Sequence, residues 1–510
     1  MTLLSPLAKT PLNDRTSGVL LHVSSLPSPY GIGTLGQAAR DWIDFLVEAG
    51  QTVWQMLPLG VTGYGDSPYQ SFSTRAGNPF FIDLDALIDA GWLDRAAVDA
   101  VPFGDDPSSV DYEAVWAGRR AVLRDAWFAF RRTASPEMRA AFRAFCVREA
   151  YWLEDDATFF ALKRHFDDRP WWAWPEAYKR RHAVALRTFR ERHAEAIAFQ
   201  KFLQFIFFEQ WADLRRHAHA AGIILMGDVP IYVARDSVDV WRSPHLFQVD
   251  DDLNPTYVAG CPPDAFTEDG QLWGNPLYDW DVHAAEDYAW WIERMRFQLA
   301  MFDVVRIDHF RGFAGFWSVP ATDDTARNGR WVDGPGRALF EAMHAALGPL
   351  SIIAEDLGFM TDDVHALRQS LGCMGMVVMQ FAFDPETPSE YLPHNLTEPT
   401  VLYTGTHDNA TMREWFDQVD PASVELARRY LGLSAEEGPV YGMLRGAATT
   451  VCRVMIYQMQ DWLGLGGEAR MNRPGNVGGY WRWRVVPGQL TEALARDMYE
   501  LTAMSQRLSL

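Results

Sequence analysis

The sequence lacks the features that mark a secreted, membrane-spanning or zinc-binding protein. Its four cysteines, Cys146, Cys261, Cys373 and Cys452, lie far apart and form no C-x-x-C pair, so neither a disulfide framework nor a zinc site is expected. No run of about 18 apolar residues is present, so a membrane-spanning helix is not expected. Residues 1–16 contain no basic segment followed by a long apolar core, so a secretory signal is not expected either. Together these absences predict a soluble, cytoplasmic protein.

An excess of positive charge is also absent. The formal net charge is −21, which argues against a nucleic-acid partner, because phosphate contacts need a basic surface. This charge is compatible with a neutral substrate. Hydrophobic residues make up 48% and charged residues 22% of the chain, which are the proportions of a globular protein rather than a disordered one. The 21 tryptophans fit a protein that stacks indoles on sugar rings, and they fit packing between large helices equally well.

Short buried strands alternate with helices along the chain. Eight segments have the apolar, β-branched composition of buried strands, and they begin near residues 18, 52, 223, 303, 350, 376, 401 and 451. The first two flank a helix at 35–49, and this strand–helix–strand unit favours a parallel sheet. Eight such strands separated by helices predict an α/β fold of the (β/α)8 TIM-barrel class, with residues 1–510 as a single catalytic domain.

Two long segments interrupt the barrel pattern. Residues 84–215 contain helix-like apolar spacing, which predicts a mainly helical insertion between the second and third strands. Within it, the tryptophans at 171, 172 and 174 fit packing better than a binding platform. Residues 231–280 are rich in Pro, Asp, Asn and Trp, and we interpret them as a loop-rich insertion that covers the cleft at the barrel mouth. The alternative for this segment is a structured surface loop without a ligand role.

Acidic residues stand at the ends of several predicted barrel strands. Asp308, Glu355 and Asp408 lie at or just past the ends of the fourth, fifth and seventh strands, and Asp228 lies at the end of the third. Barrel closure would bring these residues to one rim, where β/α barrels keep their reactive groups. A pair of carboxylates, one acting as nucleophile and the other as acid/base, is what a retaining glycosidase uses. The sequence therefore predicts glycoside chemistry at this rim.

The neighbours of these carboxylates indicate how the roles divide. Arg306 shares a strand face with Asp308 and should favour its ionised form, which suits a nucleophile. Glu355 follows the apolar segment 352–354, which should raise its pKa and suit it to proton donation. Asp408 lies between a histidine and an asparagine, a setting that suits hydrogen bonds to ring hydroxyls.

Other chemistry is compatible with the same residues. Each carboxylate taken alone could be a helix cap or an ordinary salt-bridge partner. His309 and His407 each neighbour an aspartate, and Asp–His pairs also bind metals in hydrolases. No H-x-H or H-E-x-x-H spacing accompanies these two pairs, so no metal site is expected.

At these residues the chain resembles the 4-α-glucanotransferases called amylomaltases or disproportionating enzymes, which are family 77 of the glycoside hydrolases and kin of the α-amylases. The likeness extends over nearly the whole chain. An α-amylase would have an Asn-His pair after Asp228, whereas this chain has Val229 and Pro230, as amylomaltases do. The resemblance is carried by motifs at 17–18, 24–33, 63–70 (GYGDSPYQ), 77–79, 262–264, 274–276, 305–312 (VRIDHFRG), 354–358 (AEDLG), 406–409 (THDN), 470–475 (RMNRPG) and 481–484 (WRWR).

The resemblance implies a retaining transferase that cleaves an α-1,4 bond of one glucan and moves the glycosyl segment to the 4-hydroxyl of another. It implies that Asp308 is the nucleophile, Glu355 the acid/base and Asp408 the transition-state stabiliser, with no metal or organic cofactor. The implied substrates are maltooligosaccharides, amylose or glycogen-derived glucans. The residues expected to bind them are Tyr64, Asp228, Asp264, Trp273, Asn275, Arg306, His309 and His407.

Two functions other than glucan transfer are compatible with these residues. An α-glucan hydrolase would use Asp308, Glu355 and Asp408 and admit water as the acceptor. A catalytically silent glucan-binding protein would be indicated by the loss of one carboxylate, and none is lost here.

Overall fold

The computed structural model describes residues 11–263, 268–358, 360–476 and 478–508, with Tyr64 described by its backbone alone. The strands of this part are β1 (Thr16–Leu20), β2 (Val53–Gln55), β3 (Ile224–Val229), β4 (Tyr257–Cys261), β5 (Gln271–Pro276), β6 (Val304–Ile307), β7 (Gly315–Pro320), β8 (Arg330–Asp333), β9 (Ile352–Ala354), β10 (Gly375–Val378), β11 (Thr400–Tyr403) and β12 (Val454–Gln458). Its helices are α1 (Gln37–Glu48), α2 (Leu84–Asp89), α3 (Arg95–Asp99), α4 (Tyr112–Thr133), α5 (Pro136–Arg148), α6 (Ala150–His165), α7 (Glu176–Lys179), α8 (Ala183–Arg192), α9 (Ala194–Ala220), α10 (Val238–Arg242), α11 (Trp280–Ala285), α12 (Ala289–Met301), α13 (Gly336–Leu347), α14 (Asp362–Leu371), α15 (Met412–Gln418), α16 (Pro421–Leu431), α17 (Pro439–Ala448), α18 (Met459–Trp462) and α19 (Glu492–Met504).

Eight strands form a parallel barrel with helices between them. Their order around the sheet is β10-β11-β12-β1-β2-β3-β6-β9. A parallel bridge between Ile353 and Met374 joins β9 to the start of β10 and closes the ring. The (β/α)8 fold expected from the sequence is therefore confirmed, and each barrel strand lies at one of the eight predicted positions.

The barrel strands are apolar in sequence because they are buried in the fold. In β6, Val304, Val305, Arg306 and Ile307 are all buried, so the apolar side chains pack and the single charged one must find partners inside the barrel. Strand pairing then fixes the neighbours of that charge. Asp228 of β3 stands directly opposite Arg306 in the β3–β6 register.

Helices fill the interval between β2 and β3. The helices α2 to α9 lie there, and α9 packs against α4, α5, α6 and α8. Trp171 and Trp174 are buried and Trp172 is partly buried, so packing accounts for most of this tryptophan cluster. We propose that residues 84–215 form a helical subdomain of the single barrel domain.

A second, antiparallel sheet lies beside the barrel, with the order β5-β4-β7-β8. Its first two strands fall within residues 231–280, and its last two follow the carboxylate-bearing end of β6. Sequence reasoning predicted a loop-rich segment at 231–280 and made no prediction for the segment that holds β7 and β8; the strands at 231–280 are short and contain Gly and Pro. That residues 231–280 form an insertion covering the cleft is a proposal.

The N- and C-terminal parts of the chain meet in the wall of the barrel, where β1 lies beside β12. These two strands pair in parallel from Thr16 opposite Val454 to Leu20 opposite Gln458. Arg507 is fully buried and holds this region together. Its guanidinium donates hydrogen bonds to the main-chain carbonyls of Thr16, Ala448, Thr450, Cys452 and Arg453.

The described part of the chain has no helix with the length and apolar character needed to cross a bilayer. All four cysteines are free thiols.

Asp156 of α6 predicts a pH-dependent stability. The side chain is buried and accepts a hydrogen bond from Ser73, and burial raises its pKa from 3.8 to about 7. The folded state therefore binds this proton more tightly than the unfolded state, so the contribution of Asp156 to stability falls as pH rises from about 4 to 7, by up to about 1.4 kcal/mol per pH unit. Asp156→Asn is expected to flatten this part of the curve of unfolding free energy against pH, measured by urea denaturation.

The matched control is Asp167→Asn, which changes an exposed aspartate just after the same helix. It should leave the slope as in the unmodified protein. An unchanged slope in Asp156→Asn would show that this carboxyl does not titrate between those pH values.

Candidate active site

The predicted acidic residues gather at the carboxyl ends of the barrel strands. Asp308 follows β6 directly, Glu355 follows β9 directly, and Asp408 lies in the turn after β11. Asp228 is the next-to-last residue of β3. Because Ile307 pairs with Ala354, the two residues that follow them, Asp308 and Glu355, leave neighbouring strands side by side.

Arg306 lies between two of these carboxylates. Its Nη1 donates to Asp228 Oδ2 at 2.7 Å and to Asp308 Oδ1 at 3.0 Å. The arginine and Asp228 side chains are almost completely buried, whereas Asp308 keeps 26% of its side-chain surface exposed. One guanidinium therefore orients both carboxylates and leaves Asp308 accessible to a ligand.

The electrostatics of Asp308 differ from the prediction based on Arg306 alone. Burial raises the pKa of Asp308 well above its ordinary range, Arg306 opposes the rise, and the carboxylates of Asp228, Glu355 and Asp408 add to it. The sequence shows that Arg306 should lower the pKa of Asp308. It does not show the burial or the other three carboxylates, whose combined effect raises the pKa by more than Arg306 lowers it. Arg306 is thus the group that limits protonation of Asp308.

Glu355 is held by the backbone of two loops. Its Oε2 accepts a hydrogen bond from the His309 N–H at 2.6 Å, and its Oε1 accepts one from the Leu357 N–H at 3.0 Å. His309 adopts a left-handed backbone conformation with φ 49°, which turns its N–H toward the carboxylate. Burial raises the pKa of Glu355, while Arg306 and the two N–H groups oppose the rise. The upward direction agrees with the apolar approach seen in the sequence.

Asp408 is oriented by a segment close to the C-terminus. Its Oδ1 accepts a hydrogen bond from Asn472 Nδ2 at 2.6 Å and lies 3.4 Å from His407 Nε2. Arg470 donates to the Asp408 carbonyl at 2.7 Å, which ties the turn to the same segment. Asn472 and Arg470 were not predicted as site residues, although they belong to the RMNRPG motif.

Tyr69 connects Asp228 to His407. Its hydroxyl donates to Asp228 Oδ2 at 2.9 Å, and its ring stacks on the His407 imidazole with centroids 4.8 Å apart. Trp481 packs against both rings, at 5.9 Å and 5.7 Å. Burial lowers the pKa of His407, so this imidazole is neutral near pH 7. Sequence reasoning missed Tyr69 and Trp481, and the only signal for them was membership of the GYGDSPYQ and WRWR motifs.

The antiparallel sheet supplies further predicted residues. The Trp273 indole of β5 meets the His309 ring edge-on at 4.8 Å. Asn275 donates to the Val233 carbonyl at 2.8 Å and accepts from Gln70 at 3.1 Å, so it joins β5 to two loops at the barrel mouth.

Two predicted binding residues cannot be placed in the same way. Tyr64 begins the short 3-10 turn Tyr64–Asp66 after β2, and its side chain lies outside the described part. Asp264 lies outside the described residues. Among the residues that are described, no group of three or more His, Cys, Asp or Glu side chains is placed to hold a metal ion.

The chain is similar in sequence to 4-alpha-glucanotransferases and in structure to an amylomaltase. A sequence model of the family described as 4-alpha-glucanotransferase matches residues 21–490. The 4-alpha-glucanotransferase of Streptococcus pneumoniae is 47% identical over 98% of this chain and 98% of its own, and that of Thermus thermophilus is 46% identical over 97% and 99%. The solved structure of the amylomaltase from Streptococcus agalactiae in complex with acarbose has a TM-score of 0.94 at 40% identity and covers 97% of this chain and 100% of that one.

Proposed function

Because the chain belongs to the 4-alpha-glucanotransferase family, glycoside hydrolase family 77, we propose that it transfers glucan segments by double displacement through a covalent glycosyl–Asp308 intermediate. Family membership makes it a glycosyl-transferring enzyme. The observation that carries the mechanism is Arg306, which orients Asp308 at the barrel rim while Glu355 stands on the neighbouring strand end. We propose a cytoplasmic enzyme whose substrates are maltooligosaccharides, amylose or glycogen-derived glucans.

In the first step the ionised form of Asp308, which the hydrogen bond from Arg306 favours, attacks the anomeric carbon of the donor. A bond forms between an Asp308 carboxylate oxygen and C1, and the bond from C1 to the glycosidic oxygen breaks. Glu355 gives its proton to that oxygen, which leaves as the 4-hydroxyl of the shortened glucan. The raised pKa of Glu355 suits it to hold this proton before the step.

In the second step the 4-hydroxyl of an acceptor glucan attacks C1 and releases Asp308. Glu355 now takes the acceptor's proton, and the ester bond to Asp308 breaks. The ester carries no charge, so the carboxylate repulsion that Glu355 feels from Asp308 disappears in the intermediate. Its pKa then falls, and the same group becomes a base.

Asp408 supports the positive charge that develops on the sugar ring in both steps. Asn472 donates a hydrogen bond that holds the Asp408 carboxylate in one orientation, so little reorganisation is needed when the charge forms. Asp228, His407, Arg306 and, by resemblance, Tyr64 are proposed to line the donor subsite.

Transfer rather than hydrolysis is favoured by the sheet beside the rim. The Trp273–His309 contact brings an apolar ring next to the loop that carries Asp308, where it disfavours water as the acceptor. We propose that Trp273, Asn275, His309 and Asp264 contact the glucan on this side.

The function is tested by incubating the protein with maltotriose alone in the presence of a chelator and separating the products. Transfer predicts glucose together with a ladder of maltooligosaccharides longer than maltotriose. Glucose and maltose without longer products would identify a hydrolase. Inhibition by the chelator would indicate a metal enzyme, and an absence of any product would indicate a glucan-binding protein.

A further inference from the structure

Trp331 is an exposed indole held in a fixed position. It lies on β8, the edge strand of the antiparallel sheet, and is 39% exposed. Its cross-strand neighbour is Trp317 of β7, whose ring meets it nearly at right angles with centroids 5.2 Å apart. The Arg311 guanidinium lies over the indole at 3.7 Å. Two contacts therefore fix this ring before any ligand arrives, which lowers the entropy lost on binding.

The same contacts connect Trp331 to the catalytic rim. Arg311 is the third residue after Asp308, so their Cα atoms are at most about 11 Å apart. Arg311 is buried in the turn Phe310–Phe313 and presents its charge to the Trp331 ring. On the other edge of the sheet, Trp273 contacts His309, the residue that follows Asp308. Both edges of the sheet thus touch the loop that carries the nucleophile.

A carboxylate lies on the same face of β8 as the Trp331 indole. Asp333, two positions along β8, lies on the same strand face and is exposed. An exposed aromatic ring with an adjacent carboxylate matches a glucosyl unit, whose C–H face stacks on the ring and whose hydroxyls donate to the carboxylate. One indole next to charged side chains is a smaller apolar surface than a protein-docking patch needs.

We propose that Trp331 and Asp333 form a distal glucan-binding site, which holds a glucosyl unit of an α-1,4-glucan too long to be accommodated by the catalytic cleft alone. The proposal rests on the proposed function. The site would increase the affinity for long glucans without changing the chemistry at Asp308.

The test compares maltotriose with maltoheptaose for Trp331→Ala. The expected result is a rise of about tenfold in the KM for maltoheptaose relative to that for maltotriose, with kcat little changed, which corresponds to about 1.4 kcal/mol of lost binding. Trp331→Phe keeps an aromatic face and should recover part of the affinity. Equal changes with both glucans, or a loss confined to kcat, would overturn the proposal in favour of a structural role.

The matched control is Trp172→Ala. This indole is also partly buried and stacked by an arginine, with Arg235 at 4.1 Å, but it lies in the helical segment between β2 and β3. It should leave the ratio of the two KM values unchanged, and a shift equal to that of Trp331→Ala would contradict a site at Trp331.

Calorimetry tests the distal binding site independently of the proposed catalytic function. Maltoheptaose is titrated into Asp308→Asn and into Asp308→Asn combined with Trp331→Ala, so that binding is measured without turnover. About tenfold weaker binding by the double variant supports the distal site, and equal binding refutes it. A protein that transferred nothing from maltotriose would refute the proposed function and leave this binding result intact.

Discussion

Asp308→Ala is expected to reduce glucan transfer from maltotriose by about 10⁴-fold or more, because it removes the carboxylate that is proposed to form the glycosyl ester. Asp308 is the carboxylate that Arg306 orients and that remains partly exposed at the rim. Asp228 is held by the same arginine but its side chain is completely buried, so it cannot take over the attack. Initial rates of glucose release measure the loss, and circular dichroism establishes that the variant is folded.

Rescue by a small external nucleophile distinguishes the loss of the nucleophile from a structural defect. With sodium azide, Asp308→Ala should form a β-glycosyl azide from an activated α-glycosyl fluoride. The C1–N bond forms as the C1–F bond breaks, and fluoride leaves without needing a proton. The control Asp167→Asn, which changes an exposed aspartate in the helical segment between β2 and β3 and keeps Asp308, should form no β-glycosyl azide. A folded Asp308→Ala variant that transfers at the normal rate would rule out Asp308 as the nucleophile.

Glu355→Gln is expected to lower transfer from maltotriose by about 10²- to 10⁴-fold, the range usual for loss of a general acid–base. The amide is nearly isosteric, and its oxygen can still accept one of the N–H bonds from His309 and Leu357. The variant should nevertheless react with α-maltosyl fluoride, whose leaving group needs no protonation. Burst kinetics of fluoride release measure this first step.

The second step of this variant should then be slow, because no base removes the acceptor's proton. A maltosyl group is expected to accumulate on Asp308, and mass spectrometry of proteolytic fragments would locate it. In the unmodified enzyme we expect the rate to decline at high pH as Glu355 loses its proton, and this decline should be absent from the variant. Equal impairment with maltotriose and with the fluoride would show that Glu355 does not act as the acid.

The barrel was predictable from the sequence because its strands are buried on both faces. The apolar, β-branched composition of segments such as 304–307 indicates a buried strand. A carboxylate immediately after such a strand is expected at the barrel rim. The antiparallel sheet was not predictable in this way. Its strands β5 and β8 are partly exposed and contain Gly, Pro or charged residues, so their composition resembles that of loops.

The partners of the site residues were also beyond single-sequence reasoning. Asn472 reaches Asp408 across 64 positions, and Tyr69 reaches Asp228 across 159, distances over which periodicity carries no information. The pKa of Asp308 illustrates the same limit. Its neighbour Arg306 is visible in the sequence, whereas the opposing effects of burial and of three distant carboxylates depend on the closed barrel.

The pairing of β1 with β12 has a consequence for how the chain is synthesised. Thr16 of β1 pairs with Val454 of β12, so the ribosome must synthesise the chain as far as β12 before the ring can close. At about 5 to 20 residues per second this takes roughly 25 to 100 s, during which β1 has only β2 as a barrel neighbour. The edge of β1 that β12 will occupy stays unpaired until β12 has been synthesised, so the nascent chain exposes a strand edge that can pair with other strands.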